Sequence, residues 1–455
     1  MNAAPSARRP ATRPTLRHLA WAAVLALGPF FATGAQAQSL IELYEAARGF
    51  DATYLSARSQ YDASLAQAAQ ARAGLLPQAG LGAAANWARR EVNNFSAPDG
   101  NSNNQSATLS ASQPLYRPIN KLNNDQAILG TDIARARLVQ AEQDLIVRSS
   151  QAYFDVLAAQ DTLAFVQAQK SAVAEQLASA KRNFEVGTTT VTDSREAQAQ
   201  YDLVVAREIA AANDLRVKQL TLDQLVGRSA VSPRPLAAPV ALPELQPADP
   251  QAWVDRTVDT HPAILQATRN LDIAQLETRK AEAGHKPTLD LVGQYQVAKG
   301  PITTLPVTGN VRTNTASVGV QFNLPLFAGF AVQNRIKETL ALEDKARTDL
   351  EAARRNVDLA TRSAYLGVVS GQGQVKALEA AEASSQSALD ANRLGYQVGV
   401  RINIDVLNAQ SQLFQTKRDL AQARYNVLLG NLRLRQASGS LLPQDLLPID
   451  ALLVR

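Results

Sequence analysis

The sequence predicts a mainly α-helical chain made of two copies of one long helical unit, with a β-hairpin inserted into each copy. Residues 152–227 match residues 364–439 without a gap, at a constant offset of 212. Long stretches carry apolar residues at helical spacing, and shorter regions alternate polar and apolar residues with the period of a strand. Because a fixed offset held over such a span is the mark of internal repetition, the chain is a duplication.

The duplication continues upstream of that stretch with small changes of offset. Pro77 corresponds to Pro287 at an offset of 210, and Pro114 corresponds to Pro325 at 211. Nearly the whole chain after its N-terminal segment is therefore duplicated. The predicted division is a signal peptide, 1–37; a first repeat, 38–228; a proline-rich connector, 229–250; a second repeat, 251–440; and a C-terminal tail, 441–455.

The N-terminal segment has the features of a secretory signal peptide. Four arginines precede an apolar run from Leu19 to Ala32, and Ala35 and Ala37 occupy the −3 and −1 positions of a cleavage site. A membrane anchor is the alternative, but the apolar run is short for a bilayer span. We expect export and cleavage after Ala37.

Composition excludes several classes of protein. Removing four of the 46 basic residues leaves 42 against 41 acidic ones, a net charge of +1, so the exported chain has no excess charge for nucleic acid. It contains no cysteine, which excludes disulfide bonds and a lipid-bearing N-terminal cysteine. The connector carries six prolines, which prevent a helix and favour an extended segment.

Each repeat contains one long and two shorter helical stretches. Two helices of about 34 residues laid end to end match one of about 67, a length of roughly 100 Å. Such pairs predict a rod much longer than a globular domain. The predicted helices run, in chain order, over about Leu40–Arg72, Asn120–Val186, Asp193–Val226, Ala252–Ala283, Val332–Val398 and Ile404–Ala437.

Apolar residues along these helices have the spacing of a coiled coil. Intervals of four, three and four residues recur, with alanines that allow two helices to approach closely. An ordinary helical-bundle core is the plainer interpretation, and these residues indicate packing rather than a functional site. They are Val173, Leu177, Ala180 and Phe184 in one long helix, and Ala421, Tyr425, Leu428 and Leu432 in the last helix.

Two regions of each repeat alternate polar and apolar residues. The pattern is clear in the second repeat and weaker in the first, where the intervening loop from Asn93 to Ser106 is rich in Asn, Ser and Gly and is predicted to be exposed. Strands of about 10 residues cross a bilayer obliquely, whereas a spanning helix needs about 18 apolar residues, which the exported chain lacks. The predicted strands are 79–90, 105–115, 288–298 and 313–324.

Four strands are too few to close a barrel, and open sheet edges are not tolerated in lipid. Three chains would supply twelve strands, which lies within the even-numbered range of outer-membrane barrels. They would also supply twelve helical columns. The sequence therefore predicts a trimeric 12-stranded β-barrel continued by an α-helical tunnel of duplicated coiled-coil helices.

The duplicated repeats, their inserted hairpins and the signal peptide resemble the TolC family of outer-membrane efflux and secretion channels. The corners Gln113–Tyr116 and Leu324–Phe327 and the closing run Ala423–Asn426 are family-like, and Tyr396–Asn408 resembles the family's periplasmic tip. The resemblance covers essentially residues 39–440. It implies a homotrimer in the outer membrane, with an equatorial C-terminal tail and a closed periplasmic tip. A membrane-fusion adaptor and an inner-membrane pump or ABC transporter would open that tip.

The resemblance also implies polar links that hold the tip closed. Thr192, Asp193, Tyr396 and Arg401 fall on the linking positions, with Asp193 accepting from Tyr396 of its own chain and from Arg401 of a neighbour. A carboxylate bound by a phenol and a guanidinium is a charge-assisted link that a partner can displace. The plainer interpretations are a capping box from Asp193 to Glu196 and a solvated turn cation at Arg401.

The family carries acidic residues at the constriction of the pore. Asp405 keeps the first and Asn408 replaces the second, so a trimer would present one ring of carboxylates that attracts cations. The plainer interpretation of Asp405 is a helix cap after Asn403. The helix-to-helix turns that would contact the adaptor contain Val186 and Gly187 in the first repeat, and Val398 and Gly399 in the second.

Little in the sequence indicates an enzyme. His261 and His285 lie at element ends without neighbours that would complete a metal or catalytic site. The glycines around Gly371 lack the strand and the Lys-Ser/Thr pair of a phosphate loop. We expect no cofactor, no metal and no catalytic residue. The alternative function is a surface-exposed structural or adhesive coiled-coil protein without transport activity, which would have no need for the inserted hairpins.

Overall fold

The computed structural model describes residues 38–90, 100–237, 240, 242–304 and 307–454. The predicted signal peptide lies outside these residues, and so does the first half of the predicted exposed loop. The first repeat contains α1 Leu40–Phe50, α2 Ala52–Ala73, β1 Gln78–Arg90, β2 Gly100–Tyr116, α3 Pro118–Glu185 and α4 Val191–Val226. The second contains α5 Pro250–Thr260, α6 Pro262–Glu282, β3 Thr288–Thr304, β4 Val307–Asn323, α7 Ala331–Gln397 and α8 Asn403–Ala437, followed by α9 Leu447–Asp450.

The first helical stretch of each repeat is broken in two, although the sequence predicted one helix. In the first repeat the break is Asp51, which has an extended backbone and caps α2 by accepting from the Tyr54 amide at 2.8 Å. Arg148 of α3 holds the same carboxylate with two hydrogen bonds of 2.9 Å. In the second repeat the break is His261, because Pro262 lacks an amide hydrogen and disfavours a helical conformation at the residue before it.

The helices form four columns. The long helices α3 and α7 contain 68 and 67 residues, which makes each about 100 Å long. Helix α3 packs against α2, α4, α6 and α8, and α7 packs against α6 and α8. The order of columns is therefore α2 with α4, then α3, then α6 with α8, then α7. Pairs of shorter helices lie beside each long one, as predicted.

Both end columns expose apolar side chains. Leu203 and Leu220 of α4 are 52% and 60% exposed, and Leu359 and Leu366 of α7 are 65% and 63% exposed. Leu359 and Leu366 are seven residues apart and share a face, and exposed leucines on a helix face ordinarily pack against another helix. The two edges of the helical layer therefore have the composition of contact surfaces.

The four strands form one antiparallel sheet in the order β1, β2, β3, β4. The register places the predicted apolar residues on one face, where Leu81, Leu109, Tyr295 and Ala316 form a continuous cross-strand row. The residues on the other face are mainly Gly, Ala, Ser, Thr, Asn and Gln. Strands β2, β3 and β4 have 17 residues each and are longer than predicted. Residues 100–104, predicted as loop, pair with β1 and belong to β2.

The largest apolar core lies where the connector meets the first helix and the C-terminal tail. Tyr153 of α3 is fully buried there. Gln38 pairs with Pro233 of the connector, and Leu236 of the connector pairs with Leu453 of the tail. The described part of the connector around Pro233 and Leu236 is therefore packed against the core.

The predicted coiled-coil stripes are packing residues for most of their length. Val173, Leu177 and Ala180 are buried, whereas Phe184 is 46% exposed because α3 ends at Glu185. The stripe on α8 is buried or half-buried throughout. Among the helices of the described ranges, none combines the length and the apolar character needed to cross a membrane.

Candidate functional site

The turns that join α3 to α4 and α7 to α8 have the same backbone conformation. Val186 and Val398 are helix C-caps, and the glycines after them, Gly187 and Gly399, have φ of +77° and +82°. Each glycine amide donates to the carbonyl three residues back at 3.0 or 3.1 Å, and the next amide donates five residues back at 2.9 Å. This is a Schellman motif, whose left-handed position favours glycine. Both valines are exposed, so each turn presents an apolar tip.

Asp193 lies in the first turn of α4 and forms a capping box with Thr190. Its carboxylate accepts from the amide and the hydroxyl of Thr190 at 3.2 Å each, and its amide donates to the Thr190 hydroxyl oxygen at 3.4 Å. The box predicted from Asp193 to Glu196 is thus wrong by one turn, because Thr190 is the cap and Asp193 is the third helical residue. Thr192 lies beside Asp193 and is exposed.

The predicted hydrogen bond from Tyr396 to Asp193 is not formed in the described chain. The Tyr396 hydroxyl instead accepts from the Asn183 side chain at 3.4 Å. The carboxylate of Asp193 already accepts two hydrogen bonds from Thr190, the N-cap residue of the same helix. The Tyr396 contact joins the last turns of α7 and α3 and therefore links the two coiled coils near their tips.

Arg401 lies in the second turn and pairs with Asp405 of the same chain, with 3.7 Å between Nη1 and Oδ2. The interpretation of Asp405 as a cap following Asn403 is wrong. The cap of α8 is Ile402, whose side chain makes no capping hydrogen bond. Asn408 is exposed one turn beyond Asp405, and the two residues between them are buried. Asp405 and Asn408 therefore share a face that points away from the packed core.

A seam of polar side chains joins the two coiled coils above these turns. Gln176 of α3 donates to Asn403 of α8, and Gln169 of α3 donates to Ser411 of α8 at 3.5 Å. Gln169, Asn403 and Gln410 are 1–2% exposed. Buried amides thus take the place of part of the apolar core between α3 and α8.

Three atoms of this seam are buried without a hydrogen-bond partner in the described part of the chain: Gln169 Oε1, Asn403 Nδ2 and Gln410 Oε1. Each such atom costs about 1–3 kcal/mol. Helices α3 and α4, by contrast, share an apolar stripe and an ion pair of 2.6 Å between Lys170 and Glu208, which raises the pKa of the lysine. The α3–α4 contact thus combines apolar packing with an ion pair, whereas the α3–α8 contact carries buried polar atoms without a partner in the described chain.

The seam was not predicted, although the sequence held a signal for it. Gln169 lies three residues after Val166 and four before Val173, where the predicted apolar stripe continues toward the N-terminus of α3. A polar residue at such a position lowers the stability of a coiled coil and fixes its register. The polar residue Gln169 among these apolar residues was therefore the sequence signal for the seam.

His261 and Gly371, which the sequence raised as possible site residues, have structural roles. His261 Nδ1 accepts from the Ala263 amide at 3.1 Å, and burial lowers the pKa of the imidazole. Across the described residues there is no group of three His, Cys, Asp or Glu side chains that could hold a metal ion. A Cβ at Gly371 would lie 3.0 Å from Val427 of α8, so this glycine allows α7 and α8 to pack closely.

Comparisons with known proteins agree with this architecture. A family model described as outer membrane efflux protein matches residues 43–228 and 253–440, which make up most of the two repeats. The chain is 32% identical to the outer membrane protein TolC of Vibrio cholerae, over 91% of this chain and 94% of that protein. It is 29% identical to the proteases secretion protein PrtF of Dickeya chrysanthemi, over 92% and 91%. The solved structure of the outer membrane protein VceC from Vibrio cholerae matches with a TM-score of 0.75 at 18% identity, covering 88% of this chain and 96% of that chain.

Proposed function

Because this chain belongs to the outer membrane efflux protein family, we propose that three copies form the exit duct of a tripartite efflux pump or type I secretion system. The protein is an outer-membrane channel whose helical tunnel lies in the periplasm. Its family is one of channels rather than enzymes. The proposed partners are a periplasmic membrane-fusion adaptor and an inner-membrane pump or ABC transporter. The pump and adaptor would determine whether the cargo is a drug or a secreted protein.

The sheet and the helical layer are both open at equivalent edges, and this observation carries the proposal. One edge consists of β1 and the α2/α4 column, and the other consists of β4 and α7. Unpaired strand edges are not stable in lipid, and both helical edges expose leucines. Joining one edge to the opposite edge of another copy is a head-to-tail contact, which forms a ring when the rotation between copies closes. Three copies give twelve strands, a number seen in outer-membrane barrels.

The duplication indicates which residues meet between subunits. Within the chain, Arg433 of α8 donates to Gln151 of α3 at 2.8 Å, a contact between the two repeats. Shifting both positions by 212 gives Thr221 of α4 and Ser363 of α7, which are exposed. If the contact between repeats recurs between subunits, Thr221 of one chain lies beside Ser363 of the next.

Thiol cross-linking tests this ring, since the chain has no cysteine of its own. Thr221→Cys combined with Ser363→Cys, treated with a short bismaleimide, should give covalent dimers and trimers. The control, Gln151→Cys with Arg433→Cys, should be cross-linked within one chain and should give no covalent dimer or trimer. A reacting control together with only monomers from the first variant would contradict the ring.

At the tip, we assign Thr192, Asp193, Tyr396 and Arg401 to the closed gate. The Arg401 side chain is 60% exposed, and its 3.7 Å contact with Asp405 is long for an ion pair. Its guanidinium is therefore accessible to Asp193 of a neighbouring subunit. Such links are exposed, so they hold the tip weakly enough for an adaptor to displace them.

The tip also supplies the proposed pore and adaptor surfaces. Asp405 and Asn408 share an exposed face of α8, so a trimer would place one ring of three carboxylates at the constriction. The apolar tips of both turns are the surface we assign to adaptor contact. Their residues are Val186, Gly187, Val398 and Gly399.

Single-channel recording in a planar bilayer tests the duct itself. The purified, detergent-extracted trimer should show discrete small openings, because the closed tip limits conductance. Disrupting the gate residues should raise the conductance several-fold. A preparation that is folded and trimeric but never conducts, with or without those substitutions, would contradict the proposed function.

A further inference from the structure

Two cations of the apolar face lie side by side on β3 and β4 at the end away from the helices, and a third, Arg89, lies farther along the same face on β1. Lys299 of β3 and Arg312 of β4 are directly paired in register. Residues an even number apart on a strand share a face, so both cations are on the same side as the cross-strand pair Leu291 and Val320. Both side chains are exposed. The apolar face thus ends in a basic patch, defined here as Lys299 and Arg312.

The basic patch lies about one membrane thickness from the helical end of the sheet. Lys299 is ten residues beyond Leu289 on β3, and Leu289 pairs with Phe322 where β3 leaves the helices. Ten residues extend about 33 Å along a strand. A tilt of 35–45° reduces this to roughly 25 Å along the membrane normal, which is the height of the apolar band of an outer-membrane barrel. Since the helices are periplasmic, the patch falls at the headgroups of the outer leaflet.

Nothing in the described chain neutralises the patch. Neither Lys299 nor Arg312 has an ion-pair partner among the described residues, and the strand neighbour of Lys299 on β2 is the uncharged Gln105. Like charges directly opposite each other on a sheet are destabilising. Their repulsion is relieved if an anion lies between them, and the outward direction of the face places that anion in the membrane rather than in the channel.

We propose that Lys299 and Arg312 bind the phosphate groups of an anionic glycolipid in the outer leaflet of the outer membrane. This inference rests on the membrane insertion proposed above. A guanidinium forms paired hydrogen bonds with a phosphate, and an ammonium adds a compact charge beside it. Basic residues at a membrane surface attract anionic lipids in the same way. A trimer carries three such patches around its barrel.

Lipid retention by the purified full-length trimer tests the patch. The protein is exchanged into detergent with diphosphorylated lipid A, and bound lipid is counted by native mass spectrometry. Lys299→Gln with Arg312→Gln should weaken retention roughly thirtyfold, whereas the charge-conserving pair Lys299→Arg with Arg312→Lys should retain the lipid. The control, Lys345→Gln with Arg354→Gln, removes two charges from α7, where each has an acidic partner, and should leave retention unchanged.

Three outcomes would overturn the proposed lipid site. Unchanged retention by the Lys299→Gln, Arg312→Gln variant would overturn the proposal, and so would equal retention of dephosphorylated lipid A. Displacement of the lipid by excess inorganic phosphate would identify a site for free phosphate and overturn the lipid assignment. Conductance of the same preparations separates the two proposals. A channel that conducts but binds lipid equally in all variants contradicts only the basic patch, and one that never conducts contradicts the proposed function.

Discussion

Asp193 has two physical roles that a set of substitutions separates. Its carboxylate closes the capping box with Thr190, and in the proposed gate it also accepts from Arg401 of a neighbouring subunit. Thr190→Ala removes the cap and keeps the carboxylate. Arg401→Ala removes the gate link and keeps the cap, while Asp193→Ala removes both.

The structure sets the expected magnitudes. Loss of a helix cap costs about 1 kcal/mol of stability. The Arg401 side chain is 60% exposed. Its ion pair with Asp193 of a neighbouring subunit should therefore contribute about 0.5 kcal/mol, as a surface ion pair does. Three equivalent links in a trimer then contribute about 1.5 kcal/mol to the closed state, a factor of roughly ten in the ratio of closed to open channels. Salt screens exposed pairs, so this factor should shrink at high ionic strength.

Open probability in planar bilayers, recorded with thermal unfolding of the same samples, distinguishes the roles. Asp193→Ala and Arg401→Ala should each raise the ratio of open to closed channels roughly tenfold, and their combination should do no more than either alone. Thr190→Ala should lower the unfolding temperature without opening the channel. An equal opening in Thr190→Ala would show that the helix cap holds the tip. No opening in the Asp193→Ala, Arg401→Ala double variant would remove both residues from the gate.

Three further predictions concern the pore, the acid stability and the C-terminal end of α4. Asp405→Ala should abolish a modest cation selectivity measured as the reversal potential in a salt gradient, and an unchanged potential would remove Asp405 from the pore. A hydrogen bond from Gln126 and two cationic neighbours lower the pKa of Glu277 from 4.5 to about 2. Its stabilising contribution is therefore complete above pH 4.5 and lost as the pH falls toward 2. Acid unfolding of Glu277→Gln should be flatter over that window than that of the wild type, and identical profiles would contradict the assignment. Gly227→Ala should lower the unfolding temperature, because its Cβ would lie 2.4 Å from the Phe50 ring at a φ of +71°. In a Phe50→Ala background the loss should shrink without vanishing, since the backbone strain remains.

The larger features of the fold were predictable because they repeat. The duplication, with offsets of 210 to 212, placed the two hairpins and the two long helices at equivalent points, and the strand period placed Leu109 and Tyr295 on the face where the register pairs them. The break at Asp51 was not predictable from local pattern, since it is supported by Arg148, 97 residues away. The break before Pro262 was readable from the proline itself.

At the tip, the sequence predicted the turns but not the side-chain partners. Two capping boxes, one from Thr190 to Asp193 and one from Asp193 to Glu196, fit the same pattern, and only the structure decides between them. The contact of Tyr396 with Asn183 depends on how two coiled coils lie side by side. Periodicity along one helix carries no information on that placement.

The duplication explains why two aspartates at equivalent positions differ in their surroundings. Asp193 and Asp405 are 212 residues apart, and each is the third residue of its helix. Thr190 holds Asp193 in a capping box, but the equivalent of Thr190 in the second repeat is Ile402, which has no side-chain oxygen. Ile402 lacks the hydroxyl that bonds Asp193 in the first repeat, so the first amides of α8 have no side-chain cap. The Asp405 carboxylate pairs with Arg401 instead. A threonine in one repeat and an isoleucine in the other thus accompany two different arrangements, in which one carboxylate is bound to its own helix cap and the other pairs with Arg401.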